Sequence, residues 1–355
     1  MSRFFSNRFS KLKPYTPGEQ PKDSVYIKLN TNESPFPPSE AVQTAVSAET
    51  GRLQLYSDPE CRTLNQTVAE FFGVEKNQIL MTNGSDEILN FAFMAFGDQK
   101  NPFSFPNISY GFYPVFATLN GIPYKEIPLT EDFRIDVSDY KNTDTNIVIA
   151  NPNAPTGLYL CPDEIEFLVK NNPDHIVIID EAYIDFGGQS AIPLVKKYDN
   201  LLVTRTFSKS YSLAGARLGF GIGNADLIAD MNTIKYSTNP YNVNRMTMVA
   251  GTAVLKDDAY YKAGCNKIIQ TRERTKKELR SLGFSVLDSK TNFLFASHEK
   301  ISGKELYLLL KNRGILIRHF DDKRIENYNR ITIGTDQQMD TLIGEIQNIL
   351  KGNKS

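Results

Sequence analysis

Short apolar runs recur along the first two thirds of the chain, and polar or turn-forming residues bound each of them. The clearest runs occupy residues 79–82, 147–150, 176–179 and 201–207. Helical patterns separate these runs, such as the apolar stretch that follows a Gly-Ser turn and continues to Phe96. Uninterrupted apolar strands alternating with helices are typical of a mostly parallel sheet that helices cover on both faces. We therefore predict an α/β fold for this part of the chain.

The pattern changes near residue 245. Residues 257–282 predict a long, charged amphipathic helix. After it, the pattern predicts short strands at 292–296, 315–318 and 330–333 and a final helix at 336–351. This alternation predicts a second, smaller α+β domain. We expect an N-terminal segment over residues 1–35 that associates with the small domain, a large domain over 36–245 and a small domain over 246–355.

Composition narrows the class of protein. The 355 residues are 41% hydrophobic and 23% charged, which suffices for roughly two domains with a sizeable core and excludes intrinsic disorder. Lys and Arg total 40 against 41 Asp and Glu, a formal net charge of −1, so no global electrostatic signature for nucleic acid is present. No apolar run approaches the ~20 residues that a membrane-spanning helix needs. We expect a soluble protein that binds neither nucleic acid nor membrane.

The cysteines and histidines are few and scattered. Cys61, Cys161 and Cys265 lie far apart, and the three histidines do not cluster with them. An odd, sparse set of cysteines argues against a disulfide scaffold and for a reducing compartment. We therefore expect a cytoplasmic protein without a metal site.

Polar residues cluster where the apolar strands end. Four strand ends carry Gly84-Ser85-Asp86, residues 151–157, residues 180–183 and residues 206–209, and Arg217 follows shortly after the last. In open α/β sheets, ligands bind at the carboxyl ends of the strands. The sequence therefore predicts one ligand site at this edge of the sheet.

Each of these groups has a structural as well as a functional interpretation. The Gly-Ser-Asp turn could bind an anion or simply cap a helix. A buried Asp180 could face a cationic ligand or form a salt bridge with a core arginine. Lys209 could be an amine nucleophile with a lowered pKa or a solvated loop residue. Together, Asp180, Lys209 and Arg217 describe a ligand with a basic ring nitrogen, a carbonyl group and a phosphate, which is pyridoxal phosphate.

Several motifs resemble those of fold-type I pyridoxal-phosphate-dependent aminotransferases of class I/II. The most specific is residues 205–220, RTFSKSYSLAGARLGF, which is similar to the family's Schiff-base lysine segment. Residues 29–35, 110–111, 180–183 and 291–292 also match family signatures, and the resemblance extends over nearly the whole chain. It implies a large domain with a mostly parallel sheet flanked by helices and a smaller α+β domain.

The resemblance also implies roles for individual residues. Lys209 is implied to bond covalently to the cofactor, Asp180 to pair with its ring nitrogen and Tyr183 to hydrogen-bond its phenolic oxygen. Tyr110 is implied to stack on the ring. The other cofactor-binding positions that the resemblance implies are Gly84, Ser85, Asp86, Thr206, Ser208 and Arg217.

Substrate-side positions are Tyr15, Asn32, Arg318 and Arg330, of which Arg330 matches the arginine that takes the substrate carboxylate. Tyr56 matches a tyrosine that reaches the phosphate from the neighbouring subunit, which implies a homodimer with a shared active site.

One position departs from the family pattern. The family usually reads Asn-Asn-Pro-Thr-Gly, with the second Asn donating to the cofactor's phenolic oxygen, whereas this chain carries Ala154 at that position. Either Asn153 replaces the missing donor from one position back, or Tyr183 makes that contact alone.

Within the family, the motifs are similar to those of the histidinol-phosphate aminotransferase subfamily. This similarity implies transamination of a phosphorylated amine, with glutamate and 2-oxoglutarate as the second substrate pair. Three alternatives stay open: a threonine-phosphate decarboxylase, an aromatic or broad-specificity aminotransferase, and a cofactor-binding regulator that has lost turnover. The substrate-side residues, rather than the cofactor-side ones, distinguish the first two from the subfamily, and the intact Lys209 argues against the third.

Overall fold

The computed structural model describes residues 2–10, 12–21 and 25–352. The α-helices in these residues are α1 (Glu40–Glu49), α2 (Arg62–Phe72), α3 (Ser85–Phe96), α4 (Tyr113–Asn120), α5 (Pro162–Lys170), α6 (Ala225–Thr238), α7 (Arg245–Lys256), α8 (Asp258–Ser281), α9 (Gly303–Asn312) and α10 (Asp336–Gly352). The strands are β1 (Ile27–Lys28), β2 (Ile79–Thr82), β3 (Phe103–Pro106), β4 (Tyr124–Ile127), β5 (Asn146–Ala150), β6 (Val177–Asp180), β7 (Leu201–Thr206), β8 (Gly219–Gly223), β9 (Phe284–Val286), β10 (Phe293–His298), β11 (Ile315–Leu316), β12 (Arg318–His319) and β13 (Tyr328–Thr332).

The larger sheet has seven strands in the order β2-β8-β7-β6-β5-β3-β4. Only β8 is antiparallel to its neighbours, so the other six strands point in one direction, as the predicted mostly parallel sheet requires. Strands β5, β6 and β7 are buried at every position. Their successive side chains alternate between two apolar cores, because neighbouring residues of a strand face opposite sides of the sheet.

The glycine-rich run at residues 219–223 is strand β8. A Cβ atom at Gly219 would lie 2.5 Å from the backbone nitrogen of Ser85, and one at Gly221 would lie 2.9 Å from Ile88. The glycines therefore let the start of α3 pack directly against the sheet. This close approach accounts for a run that sequence alone does not assign.

The smaller sheet is antiparallel, in the order β12-β13-β10-β9. Helix α8 packs on it with a stripe of buried residues that includes Cys265, Ile268 and Leu279, and α9 and α10 contribute to the same core. The predicted strand at 315–318 is two strands, because Ile315 pairs with Ile27 of β1 and Arg318 pairs with Arg330 of β13. Sequence pattern does not reveal this division, since both pieces are short and belong to different sheets.

The helices that follow residue 245, where the sequence predicts the domain division, contribute to both cores. Helix α7 begins at that point, yet Ala250 and Val254 lie in the core that also contains the larger sheet. Tyr261 belongs to the same core, whereas Cys265, one turn later, belongs to the core of the smaller sheet. We propose that the domain boundary lies between these two residues, within α8.

Candidate active site

A cavity of about 740 Å³ lies at the carboxyl ends of β2, β6 and β7 and beside the turns that follow β3 and β5. Residues of the N-terminal segment and the smaller sheet close its other side. Most of the residues to which the sequence assigned a role line this cavity: Tyr15, Asn32, Ser85, Asp86, Tyr110, Asp180, Tyr183, Thr206, Ser208, Lys209, Arg217, Arg318 and Arg330. The structure thus brings together groups that are up to about 300 residues apart in the chain.

Lys209 follows the end of β7 and reaches into the cavity. Its Nζ donates a hydrogen bond to the backbone oxygen of Thr31 at 3.1 Å. Burial lowers the pKa of this amine to about 8, and the nearby positive charge of Arg330 acts in the same direction. An amine with such a pKa is partly unprotonated at neutral pH, which is what a nucleophile or a general base requires.

Asp180 is the last residue of β6, and only 4% of it is exposed. Its carboxylate accepts hydrogen bonds from Tyr113 Oη at 3.0 Å and from Thr204 Oγ1 at 3.2 Å. Burial raises its pKa to about 6, although the two hydroxyl groups favour the charged form. Within the described residues no cation pairs with it, so it forms no structural salt bridge with a core arginine there. A buried carboxylate that lines a cavity in this way suits a protonated ring nitrogen.

An anion-binding arrangement lies where β2 meets α3. Gly84 adopts a positive φ of 80°, and α3 has no side-chain cap, so its first backbone N–H groups are free to bind an anion. The Arg217 guanidinium packs so close that a Cβ atom at Gly84 would lie 2.5 Å from Nη2. Ser208 Oγ accepts hydrogen bonds from Arg217 at 3.5 Å and from Thr206 Oγ1 at 3.0 Å. These donors together suit a phosphate group.

Asp86 connects the anion-binding arrangement with the aromatic side of the cavity. It accepts a hydrogen bond from Tyr110 Oη at 2.6 Å and pairs with Arg217 Nη2 at 3.3 Å. These contacts fix the position of the Tyr110 ring in the cavity wall. The carboxylate therefore orients two other groups of the site, both of which the sequence assigned to cofactor binding.

Asn153 does not line the cavity. Its amide donates to the backbone oxygen of Ile108 at 3.0 Å and to Thr156 Oγ1 at 3.1 Å, and its own oxygen accepts from Ser109. Both amide hydrogens are therefore engaged in holding the loop, and Ala154 faces the cavity in its place. Of the two alternatives for the missing donor, the structure disfavours Asn153 and leaves Tyr183.

Arg330 has the environment of an anion-binding residue. One of its nitrogens donates to the backbone oxygen of Asn30 at 3.0 Å, while the buried Nε has no hydrogen-bond partner among the residues that the structure describes. The guanidinium lies 5.3 Å from the ring centre of Phe293. Arg318 donates to the backbone oxygens of Thr16 and Pro17, at 3.1 and 3.2 Å, so it holds the N-terminal segment over the cavity.

Two of the predicted residues at the edge of the site have different surroundings. Tyr15 stacks on Phe112, with 4.3 Å between ring centres, and covers the cavity from the N-terminal segment. Tyr56 lies outside the cavity; it is 80% exposed and stacks on Tyr241 at 4.8 Å. Within one chain, Tyr56 therefore makes no contribution to the site.

Sequence reasoning missed several residues that support the site. Tyr113 and Thr204 bind Asp180, and Asn292 and Thr332 bind Asn32. Tyr113 is the first residue of α4, and its spacing from Tyr110 gives no signal in the sequence, because Tyr110 lies before the helix. Asn292 belongs to a recognised motif, but nothing in the sequence indicates its partner.

Neither a metal centre nor a membrane span is found in the described residues. No group of three or more His, Cys, Asp or Glu side chains there could hold a metal ion. None of the helices in that part of the chain is long and apolar enough to cross a bilayer.

Comparison with known proteins agrees with this geometry. The sequence model of the family described as aminotransferase class I and II matches residues 24–346. Histidinol-phosphate aminotransferase from Brachyspira hyodysenteriae is 53% identical over 353 residues, which cover 99% of this chain and all of that relative. The enzyme of the same name from Clostridium beijerinckii is 47% identical, over 100% of this chain and 99% of the relative.

A solved structure shows the same fold. The crystal structure of histidinol-phosphate aminotransferase from Sinorhizobium meliloti in complex with pyridoxal-5'-phosphate superposes with a TM-score of 0.89 at 23% identity. The alignment covers 99% of each chain. The α/β architecture deduced from the sequence pattern is therefore confirmed.

Proposed function

The chain belongs to the aminotransferase class I and II family, and we propose that it transfers the amino group of histidinol phosphate to 2-oxoglutarate with pyridoxal phosphate as cofactor. The products are imidazole acetol phosphate and glutamate, and the reaction serves histidine biosynthesis. Two full-length relatives with 53% and 47% identity, both named for this activity, support the proposal. The observation that carries it within the site is Arg330, a cation in the cavity wall whose Nε lacks a partner within the described part of the chain.

The residues of the cavity fit the cofactor. The start of α3, Ser208 and Arg217 would hold its phosphate, and Asp180 would keep its ring nitrogen protonated. Tyr183 would donate to its phenolic oxygen. When bound, the cofactor supplies an electron-accepting ring for the electrons released at the substrate Cα.

The protein's own groups then perform the proton transfer. The unprotonated Nζ of Lys209 accepts the proton from the substrate Cα and acts as the general base. Its lowered pKa of about 8 keeps a useful fraction of this amine unprotonated at neutral pH. Arg330 binds the phosphate of one substrate and a carboxylate of the other, because the planar guanidinium can bind either anion through two hydrogen bonds.

Histidinol without its phosphate is expected to be a poor substrate. Loss of one charge-assisted contact corresponds to roughly a 10- to 150-fold decrease in kcat/KM. The measurement compares both compounds in the first half-reaction, which is monitored through the absorbance of the bound cofactor.

Arg330→Lys should impair both half-reactions, whereas Arg134→Lys, an exposed control that pairs with Asp132, should not.

Equal efficiency with histidinol and histidinol phosphate would contradict the assignment of a phosphate pocket and favour a broad-specificity aminotransferase. Phosphothreonine and aromatic amino acids belong in the same assay. Release of carbon dioxide from phosphothreonine, without transamination, would favour the decarboxylase alternative.

The proposal includes a homodimer in which Tyr56 completes the partner's site. Support comes from its exposure and from its anchoring. The Tyr56 backbone oxygen accepts a hydrogen bond from Arg245 at 2.9 Å, and Arg245 pairs with Glu49 at 2.6 Å. An exposed aromatic pair on a firmly held loop is typical of a contact surface.

Mixing the inactive variants Lys209→Ala and Tyr56→Phe is expected to restore activity, provided that the second variant is itself severely impaired. The heterodimer then contains one site with both defects and one site with neither, so full exchange should give about a quarter of wild-type activity. A mixture of Lys209→Ala with Asp180→Asn is the control, because both residues line the cavity of one chain and no intact site can form. Lack of recovery after verified subunit exchange would contradict the shared site.

A cytoplasmic location also belongs to the proposal. The cysteines at positions 61, 161 and 265 are all free, as is usual for proteins in a reducing compartment.

A further inference from the structure

The hydroxyl group of Tyr183 lies at the cavity wall, where a side chain of the N-terminal segment binds it. Asn32 Nδ2 donates to Tyr183 Oη at 2.9 Å. Among the described residues, none accepts a hydrogen bond from this hydroxyl group. Its oxygen is therefore used as an acceptor, and its hydrogen is free to point at a ligand in the cavity.

The orientation of the Asn32 amide follows from its other contacts. Thr332 Oγ1 accepts a hydrogen bond from the Asn32 backbone nitrogen at 3.0 Å. The Thr332 hydroxyl therefore directs its own hydrogen to Asn32 Oδ1, at 2.9 Å. Because the amide oxygen is engaged as an acceptor, the amide nitrogen must face Tyr183 as a donor.

The backbone of Asn32 is also fixed. Its φ of 57° is in the left-handed region, which asparagine tolerates better than most residues. Its backbone oxygen accepts a hydrogen bond from Asn292 Nδ2 at 2.9 Å. Asn32, Asn292 and Thr332 are each at least 98% buried, so water does not compete for these contacts. Asn292 and Thr332 thus hold Asn32 in one conformation.

This arrangement matters because the usual amide donor is absent at position 154 and Asn153 is engaged elsewhere. We propose that Asn32, held by Thr332 and Asn292, is a positioning residue that keeps the Tyr183 hydroxyl hydrogen available to the cofactor's phenolic oxygen. The inference rests on the proposed function, since it concerns the same cofactor. It assigns to Asn32 a role through Tyr183 rather than a direct contact with substrate.

The test is the pH midpoint at which the visible absorption band of the cofactor-loaded protein changes. A donor to the phenolic oxygen stabilises the negative charge of that oxygen. Without the donor, the cofactor holds its titrating proton more tightly and loses it only at higher pH. Thr332→Val leaves the Asn32 amide free to rotate and to accept from Tyr183. We expect the midpoint to move upward by about one pH unit, as it should in Tyr183→Phe.

Matched variants separate this effect from altered packing. Thr332→Ser keeps the hydroxyl group and should retain the wild-type midpoint. Thr275→Val exchanges another fully buried threonine, whose hydroxyl group has no partner in residues 2–10, 12–21 and 25–352, and should also leave the midpoint unchanged. Asn32→Asp tolerates the positive φ and places a carboxylate, which can only accept, beside the Tyr183 hydroxyl group, so it replaces Thr332→Val if that variant does not fold.

An unchanged midpoint in both Thr332→Val and Asn32→Asp, or in Tyr183→Phe, would overturn the inference while leaving the proposed function intact. A wild-type protein that gives no visible band with pyridoxal phosphate would instead refute the cofactor assignment itself. Binding of the cofactor is therefore measured first, by titration of the cofactor-free protein.

Discussion

Lys209→Ala is expected to lower kcat by roughly 10⁴-fold or more and to leave a folded protein that binds pyridoxal phosphate without a covalent bond. Of the described residues that line the cavity, only Lys209 carries a primary amine. The variant removes both the nucleophile and the general base, while Arg217, Ser208 and the start of α3 still provide the phosphate contacts. Steady-state kinetics and a cofactor titration measure the two effects separately.

Borohydride reduction of the wild-type protein locates the reactive amine directly. Mass spectrometry should find the reduced cofactor on Lys209, and a label on another lysine would contradict the assignment. Lys235→Met is a suitable control, because Lys235 is 2% exposed and burial lowers its pKa, yet it lies outside the cavity. This variant should be labelled on Lys209 like the wild type.

Asp180→Asn is expected to lower kcat by roughly 10²- to 10³-fold while largely preserving cofactor affinity. A neutral amide does not hold a proton on the ring nitrogen, whereas the phosphate contacts are untouched. Kinetics and cofactor titration again distinguish the two effects. Near-normal turnover would show that Asp180 has only a structural role.

The same substitution predicts a change in how stability depends on pH. Burial raises the pKa of Asp180 from an ordinary 3.8 to about 6 in the folded, cofactor-free protein. Between these values the folded state binds more protons than the unfolded state, so stability falls as pH rises from about 4 to about 6 and then stays level. Asp180→Asn lacks this titration. The difference in free energy of unfolding, variant minus wild type, should therefore increase by up to about 3 kcal/mol between pH ~4 and pH ~7.

Urea unfolding of both cofactor-free proteins over this pH range measures the difference. Comparison with wild type cancels the contributions of other groups, including Glu181, whose pKa burial raises to about 7. A constant difference across the range would mean that Asp180 titrates normally in the folded state.

The sequence predicted elements well where burial decides the pattern. Strand β2 was expected at residues 79–82 and occupies Ile79–Thr82, because a strand buried on both faces is apolar throughout. The final helix was expected at 336–351 and extends one residue further. Strand β8 was not predicted, since its glycines reflect the close approach of α3 rather than any strand propensity.

The site was predictable only in part for a related reason. Motifs at strand ends identified residues that line the cavity, such as Lys209 and Asp180. The partners of these residues come from other elements: Tyr113 from α4 and Thr204 from the middle of β7. Whether Asn153 faces the cavity depends on which loop atoms its amide binds, and one sequence does not contain that information.

The contact between Asn32 and Thr332 has a consequence for how the molecule is made. The two residues are 300 positions apart, and β1 likewise pairs with β11 near the other end of the chain. During synthesis, the segment around Asn32 must wait until residue 332 has been added before it can dock. A nascent chain already contains Lys209, Asp180 and Arg217 well before Thr332 is present to hold Asn32 at the cavity. Completion of the pocket is therefore later than synthesis of these three residues, and a chain that stops before residue 330 lacks both Arg330 and Thr332.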